Sequence, residues 1–413
     1  MKPHILVISR WRDRPVNYTE YIDHERNLVS YVCTEWASEA VPRAAAATVV
    51  VDRTSDTSAV LAAAIDLTRL CGCPERILAL SESDLDTAAR LRDYFRLPGD
   101  RFGDIRHFRD KLRMAEKVAA SGIALPAFAD APDKTAILEF AARHGWPIVV
   151  KPRLGAGSRG FVKLGSEADL NSLESPATEP RLVQTFCPDP VGHIDGLWTG
   201  CRLGAWRASR YLAPPAEYLS GRPKASVEID DMSLLAAVGK FAHNLFNALS
   251  SKPLIFHLEF FIGRHDDRTP RVRFLEIGAR VGGTEIPAVW QEVHNRDLFA
   301  VATDLQLGRP AQLASLDDEA IGGWLVVPIQ VSRPCTVVTA ELDLPAGAGP
   351  YAQVMPSPGA EIPAGSRDEH VGPRFRFSGP SSAVVAEKIR RTVAALRLEY
   401  TPRDQLTFAG YRT

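Results

Sequence analysis

The chain is 413 residues long, 45% hydrophobic and 24% charged, an ordinary globular composition whose length suggests about three domains. Its 49 Lys and Arg stand against 50 Asp and Glu, a balance that argues against the basic footprint of a general nucleic-acid binder. No stretch reaches the roughly 18 consecutive apolar residues of a membrane span. The six cysteines, at 33, 71, 73, 187, 201 and 335, lack C-x-x-C spacing, so they read as free thiols of a reducing compartment. These features predict a soluble cytoplasmic protein.

In chain order, the apolar run 4–9 (HILVIS) reads as a first strand and not as a signal peptide. A Val-rich strand follows at 47–51. A helix is predicted from Thr57 to Leu70, ending before Gly72, then a buried strand at 77–80 and a helix through Ala88, Leu91 and Tyr94. Strands alternating with helices imply a parallel sheet covered on its faces. Leu97-Pro98-Gly99 breaks the pattern, and a domain boundary is expected near 105. Asp110 is a good N-cap for a helix running to Gly122, and a second helix spans about 132–144 with Gly145 as its cap. Strands are expected at PIVVKP, FVKL, RLVQTF and HIDGLW, a long helix over 232–249, and two more strands at IFHLEFFI and VRFLEIG. Beyond about 320 come a strand-like run, WLVVPIQV, and an amphipathic helix at 383–396. The Gly- and Pro-rich stretch 344–366 is expected to form loops.

Three stretches carry chemistry. The first, PIVVKPRLGAGSRGFVKL, holds a G-x-G-x-x-G string followed by a strand and not by the helix a Rossmann loop needs. Such a hairpin, with Gly155, Gly157, Ser158 and Gly160, can cover a triphosphate through its backbone N–H groups, with Lys151 as a point charge. A flexible surface hairpin fits the string equally well. In the second stretch, the polar connector GRHDDRTP joins two strands as an antiparallel hairpin and sets Glu259 roughly opposite Glu276. Carboxylates about 5 Å apart repel unless a proton or cation intervenes. Mg²⁺, a hard cation with oxygen ligands, resolves the conflict; the other reading is two glutamates on a solvated face, or one paired with a nearby Arg. The third stretch, Arg280-Val-Gly282-Gly283, follows directly and offers a guanidinium fork beside flexible backbone; a structural turn with an Arg salt bridge fits it equally well. His193 and Asp195 lie on a strand entry, where a hydrogen-bonded structural role for His193 is the simpler reading.

Taken together, this ordered set resembles the ATP-grasp superfamily, especially its carboxylate–amine ligases and the L-amino acid ligases that make dipeptides. The resemblance covers about residues 1–310. It implies an α/β fold, α+β in the centre: an N-terminal parallel-sheet domain (1–105), an ATP-grasp domain (106–310, lid about 125–195) and a small C-terminal domain (311–413). It implies that Lys111 and Lys151 contact the phosphates and that Gly155–Gly160 close over them. It further implies that Gln184, Thr185 and Phe186 meet the adenine through their backbone, that Glu259 and Glu276 hold magnesium, and that Arg280 holds the acyl phosphate. Two positions depart from the family pattern. Gly278 replaces a frequent Asn, and Val191 occupies the place of a ribose-binding carboxylate, so His193 or Asp195 is expected to serve the ribose. His257, beside the metal strand, is a candidate catalytic residue. The stretches 211–219 and 286–294 are candidate pocket walls, with Trp290 as a side-chain contact. The expected activity joins a carboxylate to an amine, both from amino acids, using ATP with Mg²⁺ or Mn²⁺, in a homodimer. A carboxylase, a ligase of other substrates and a non-catalytic nucleotide-binding regulator are the alternatives.

Overall fold

The computed structural model describes residues 2–12, 16–155, 157, 159–173, 179–311, 320–364 and 371–403. Strands β1 (His4–Ser9), β2 (Leu28–Cys33), β3 (Ala47–Val50) and β4 (Arg76–Ala79) form a parallel sheet in the order β3-β2-β1-β4. One face carries Leu6, Ile8, Val32 and Ile77 against the helices Thr57–Cys71 and Leu85–Phe95. The other carries Ile5, Val7, Tyr31 and Leu78 against Leu298 and Phe299. A sheet buried on both faces produces continuous apolar runs without alternation. The predicted elements of this region are present, and β2 is an addition: its LVSYVC run is such an unalternating strand, placed at the centre of the sheet.

The helix Lys111–Ala120 starts at Asp110, whose side chain accepts from the Leu112 N–H. The helix Lys134–His144 is capped by Asp133 and ends at Gly145, whose φ is 77°. It covers a four-stranded antiparallel sheet of β5 (Phe128–Asp130), β6 (Ile148–Pro152), β7 (Val162–Leu164) and β8 (Arg181–Thr185), ordered β5-β8-β6-β7.

The largest sheet has eight strands. It runs β13 (Pro270–Gly278), β12 (Leu254–Arg264), β9 (Val191–Trp198), β10 (Leu203–Tyr211), β11 (Lys224–Glu228), β14 (Ile321–Val326), β18 (Arg374–Gly379) and β16 (Ala352–Val354). The helix Met232–Leu249 packs Val238, Leu245 and Phe246 against Phe256, Leu258 and Phe260 on one face. β10 and β11 were not foreseen. The β10 segment LGAWRASRY mixes small, charged and aromatic residues, and a bulge interrupts its pairing with β9. The stretch expected as loops at 344–366 contains two short strands, β16 and β17 (Glu361–Ile362). β15 (Cys335–Leu342), β17 and β19 (Leu396–Pro402) make a small separate sheet, while the helix Ser382–Ala395 packs on β14 and β18.

Candidate active site

A cleft of about 1510 Å³ lies between the four-stranded antiparallel sheet, the large sheet and the carboxyl ends of the parallel strands. At its base, the β12–β13 register sets Glu259 opposite Glu276, with a bulge directly after Glu259. Lys111 opens its helix here. Its Nζ lies 3.0 Å from Glu276 Oε1 and donates to the Gly155 carbonyl at 2.7 Å. The Lys111 N–H also bonds the Arg153 carbonyl at 2.9 Å, which ties the helix to the end of β6.

Lys151, on β6, is buried and lines the same cleft. Burial, with Lys111 adding to it, pushes its ammonium down to about 8, while Glu276 and Glu259 hold it up. The charge is therefore present below about pH 8 and lost above it. Nucleotide affinity of the free enzyme is expected to fall as pH rises through this value. Isothermal titration across pH 7–9 should show that fall in the native protein and a flat profile in Lys151→Met.

Glu259 accepts from the Tyr211 hydroxyl at 2.9 Å, and His257 Nε2 stands 3.6 Å from the same oxygen. Burial alone would raise the Glu259 carboxyl, but His257, Lys224 and Tyr211 outweigh it and hold the carboxyl well below the usual range. His257 Nδ1 is 2.8 Å from Asp195 Oδ1, and His193 Nδ1 is 2.6 Å from Asp195 Oδ2. His193 Nε2 in turn meets Ser226 Oγ at 2.8 Å. Burial opposes a charge on His257, yet Asp195 and Glu259 push it up to about 9.

This arrangement overturns the ribose expectation. His193 and Asp195 are each 1% exposed, are absent from the cleft wall, and spend their polar atoms on one another, on Ser226 and on His257. Their strand positions point them under the loop that carries Gly282. A Cβ at Gly282 would lie 2.3 Å from Asp195 Oδ1, so only glycine lets that loop close over the carboxylate. Trp290 also differs from expectation. It is 2% exposed and packs in the core, not on the cleft wall.

Arg280 lines the cleft, and its Nε donates to Glu82 Oε2 at 2.8 Å. Arg109 NH1 donates to the other Glu82 oxygen at 2.6 Å. Glu82 thus orients Arg280 from the end of β4, a role invisible in a sequence where the partners stand 198 residues apart. A side chain at Gly278 would begin 3.3 Å from Arg280 Cγ, so this glycine leaves the guanidinium its room.

At the other end of the cleft, Gln184, Thr185 and Phe186 line the wall. The Thr185 and Phe186 N–H groups are committed to the Ala127 and Pro147 carbonyls at 2.9 and 3.1 Å. These two N–H groups are therefore not free to donate into the cleft. Lys163 Nζ stands 3.8 Å above the Phe186 ring, a cation–π contact. Gly155 and Gly157 line the cleft. Gly160 does not, and a Cβ there would strike Pro152 Cγ at 2.7 Å. Ser158 lies outside the described residues.

The donor set suits a hard divalent cation. Two facing carboxylates present the oxygen atoms such an ion takes, and two lysines stand beside them.

The fold of this chain is shared with solved ligase and carboxylase structures. The L-amino acid ligase of Bacillus licheniformis matches with a TM-score of 0.73 at 16% identity, over 97% of this chain and 99% of that one. The biotin carboxylase domain of Hydrogenobacter thermophilus 2-oxoglutarate carboxylase, a dimer with MgADP and bicarbonate, matches with a TM-score of 0.64 at 13% identity, over 97% and 91%. In sequence, the chain is 26% identical to the L-arginine-specific L-amino acid ligase of Bacillus subtilis over 290 residues, 68% of each protein. No protein-family model matches. Among the described residues no helix is long and apolar enough to cross a membrane.

Proposed function

We propose that the protein is an ATP-dependent ligase that joins a carboxylate to an amine, both from amino acids, and releases ADP and phosphate. The observation that carries this reading is the Glu259–Glu276 pair facing Lys111 and Lys151 at the base of a cleft that Arg280 also enters. The likeness to two L-amino acid ligases supports the substrate class.

In this reading the substrate carboxylate takes the γ-phosphoryl group and becomes an acyl phosphate. Mg²⁺, held by Glu259 and Glu276, supplies charge neutralisation for the phosphate oxygens. Lys111 and Lys151 add fixed positive charge, and positioning does most of the work in such a transfer. The glycine hairpin of the lid, over about 125–195, closes to exclude water that would hydrolyse the intermediate. Arg280, fixed by Glu82, stabilises the oxyanion formed when the amine attacks. His257 faces this step from beside Glu259. Six free thiols favour a cytoplasmic setting, and the dimeric carboxylase domain favours a homodimer.

The test is ATP consumption with Mg²⁺ against all pairs of amino acids, reading ADP, phosphate and the amide by mass. ADP with phosphate and an amide for particular pairs supports the ligase. AMP with pyrophosphate would mean adenylation and sink the acyl phosphate. Chelation with EDTA is expected to stop turnover, with activity restored by Mg²⁺ and also by Mn²⁺, which accepts the same oxygen ligands.

A further inference from the structure

We infer that Arg10 anchors the carboxylate of the amine-bearing substrate, so that the acceptor is an α-amino acid and not a simple amine; this deepens the ligase reading above and rests on it. Arg10 directly follows β1 and lines the cleft. The parallel sheet is ordered β3-β2-β1-β4, so the chain steps from β1 to β2 and β3 on one side and returns to β4 on the other. Such a reversal opens a crevice at the carboxyl ends of the strands, where an open α/β sheet takes its ligands. Arg10 stands on the β1 side of that crevice, and the short turn Glu82–Asp84 follows β4 on the other. Asp84 is fully buried and takes one edge of the guanidinium. Arg10 Nε donates to both Asp84 oxygens at 3.0 Å, and NH2 donates to Oδ1 as well. The fork carries five N–H groups, so its NH1–NH2 edge remains for a second carboxylate. Among the described residues NH1 makes no hydrogen bond, and the Arg10 side chain is 21% exposed.

The same turn ties this fork to the reaction. Glu82, two residues before Asp84, holds Arg280 at 2.8 Å, and two residues of a 3₁₀ turn rise only about 4 Å. One short segment therefore aims both guanidiniums into one cleft. Arg280 meets the oxyanion that forms when the amine attacks. In an α-amino acid the attacking nitrogen and the carboxylate share one carbon, so the carboxylate arrives beside that step and needs a cation there. The open edge of a guanidinium offers it two parallel charge-assisted hydrogen bonds. Other cations of the cleft are placed elsewhere: Lys111 on Glu276 and the Gly155 carbonyl, Lys163 over Phe186, and Arg390 on Glu387. Trp11, next to Arg10 in the chain, meets Phe299 edge to face at 5.7 Å. Both rings line the cleft and give the acceptor's side chain an apolar wall.

The experiment takes each amino acid that the pair screen finds as acceptor and compares it with its carboxamide, which keeps the amine and the side chain and lacks the charge. With the native full chain, the donor amino acid, ATP and Mg²⁺, the carboxamide should show a KM about 10- to 100-fold above that of the acid, the scale of a charge-assisted pair. Arg10→Lys keeps a positive charge for Asp84 and loses the open edge of the fork; it should raise KM for the acid about tenfold and leave KM for the carboxamide, the donor and ATP within about twofold. Arg10→Met combined with Asp84→Asn removes both charges and should bring acid and carboxamide to one KM. Equal KM for acid and carboxamide in the native chain would overturn the anchor while leaving the ligase reading intact. So would an undiminished preference for the acid in both variants, or a Lys variant that loses acid and carboxamide alike, which would mark Arg10 as part of the fold. Absence of an amide product with every pair would overturn the ligase reading and the anchor together.

Discussion

Glu276→Gln is expected to lower turnover by at least about a thousandfold, on the scale seen when a charge-stabilising element is removed from a phosphoryl-transfer site. The amide keeps the shape and still accepts from Lys111, which sits 3.0 Å from the carboxylate and also holds the Gly155 carbonyl. The side chain is 28% exposed. Unfolding free energy is therefore expected to move by less than about 1 kcal/mol. What the variant loses is negative charge opposite Glu259, and with it, in the proposed site, much of the attraction for a hard cation. Raising Mg²⁺ should recover part of the rate, because a weakened site fills at higher concentration. Steady-state rates against Mg²⁺ concentration, with a urea melt as the fold control, make the check. A variant with near-native rate at ordinary Mg²⁺ would remove the metal assignment and the mechanism built on it.

The register of Glu259 and Glu276 was legible because a hairpin is a local object: its polar turn counts off opposite residues in both directions. Helix limits were legible for a similar reason. Asp110, Asp133 and Gly145 are caps, and a cap acts within one turn. Among the elements that escaped, β2 and β10 lack a local signature. β2 is buried on both faces and so does not alternate, and β10 carries a bulge. The same division runs through the site. Lys111, Lys151, Glu259 and Arg280 stand in recognisable strings, and they meet in one cleft. Glu82 stands in a string that says nothing, since its meaning comes from a partner 198 residues away. His193 and Asp195 misled in the opposite sense. Their strand placement was right, but which face of β9 is covered depends on the Gly282 loop, far along the chain.

Glu82→Ala is expected to destabilise the fold by about 3–5 kcal/mol, the cost of removing one partner from a buried ionic network. The carboxylate lies between Arg109 at 2.6 Å and Arg280 at 2.8 Å, with side-chain exposures of 12% for Glu82, 8% for Arg109 and 19% for Arg280. Truncation leaves both guanidiniums without that carboxylate, and neither can shed its charge. Among the described residues Arg109 retains Asp86 at 3.2 Å and Arg280 retains the Val281 carbonyl, so Arg280 is the residue set adrift. Turnover should fall along with stability. The pH dependence separates this network from simple packing. Burial would raise the Glu82 carboxyl, but Arg280, Arg109 and Lys111 hold it below its ordinary value. A depressed carboxyl contributes fully above its unfolded value of about 4.3, and the contribution is lost as pH falls through the folded one. The stability gap between native and variant should therefore be widest near neutrality and close in acid. Adding Arg280→Met to Glu82→Ala should recover part of the loss, since it removes the uncompensated charge. Urea melts of the three proteins from pH 3 to pH 7 decide the matter. A gap that is small at pH 7, or that does not shrink in acid, would mean the arginines are held by something other than Glu82.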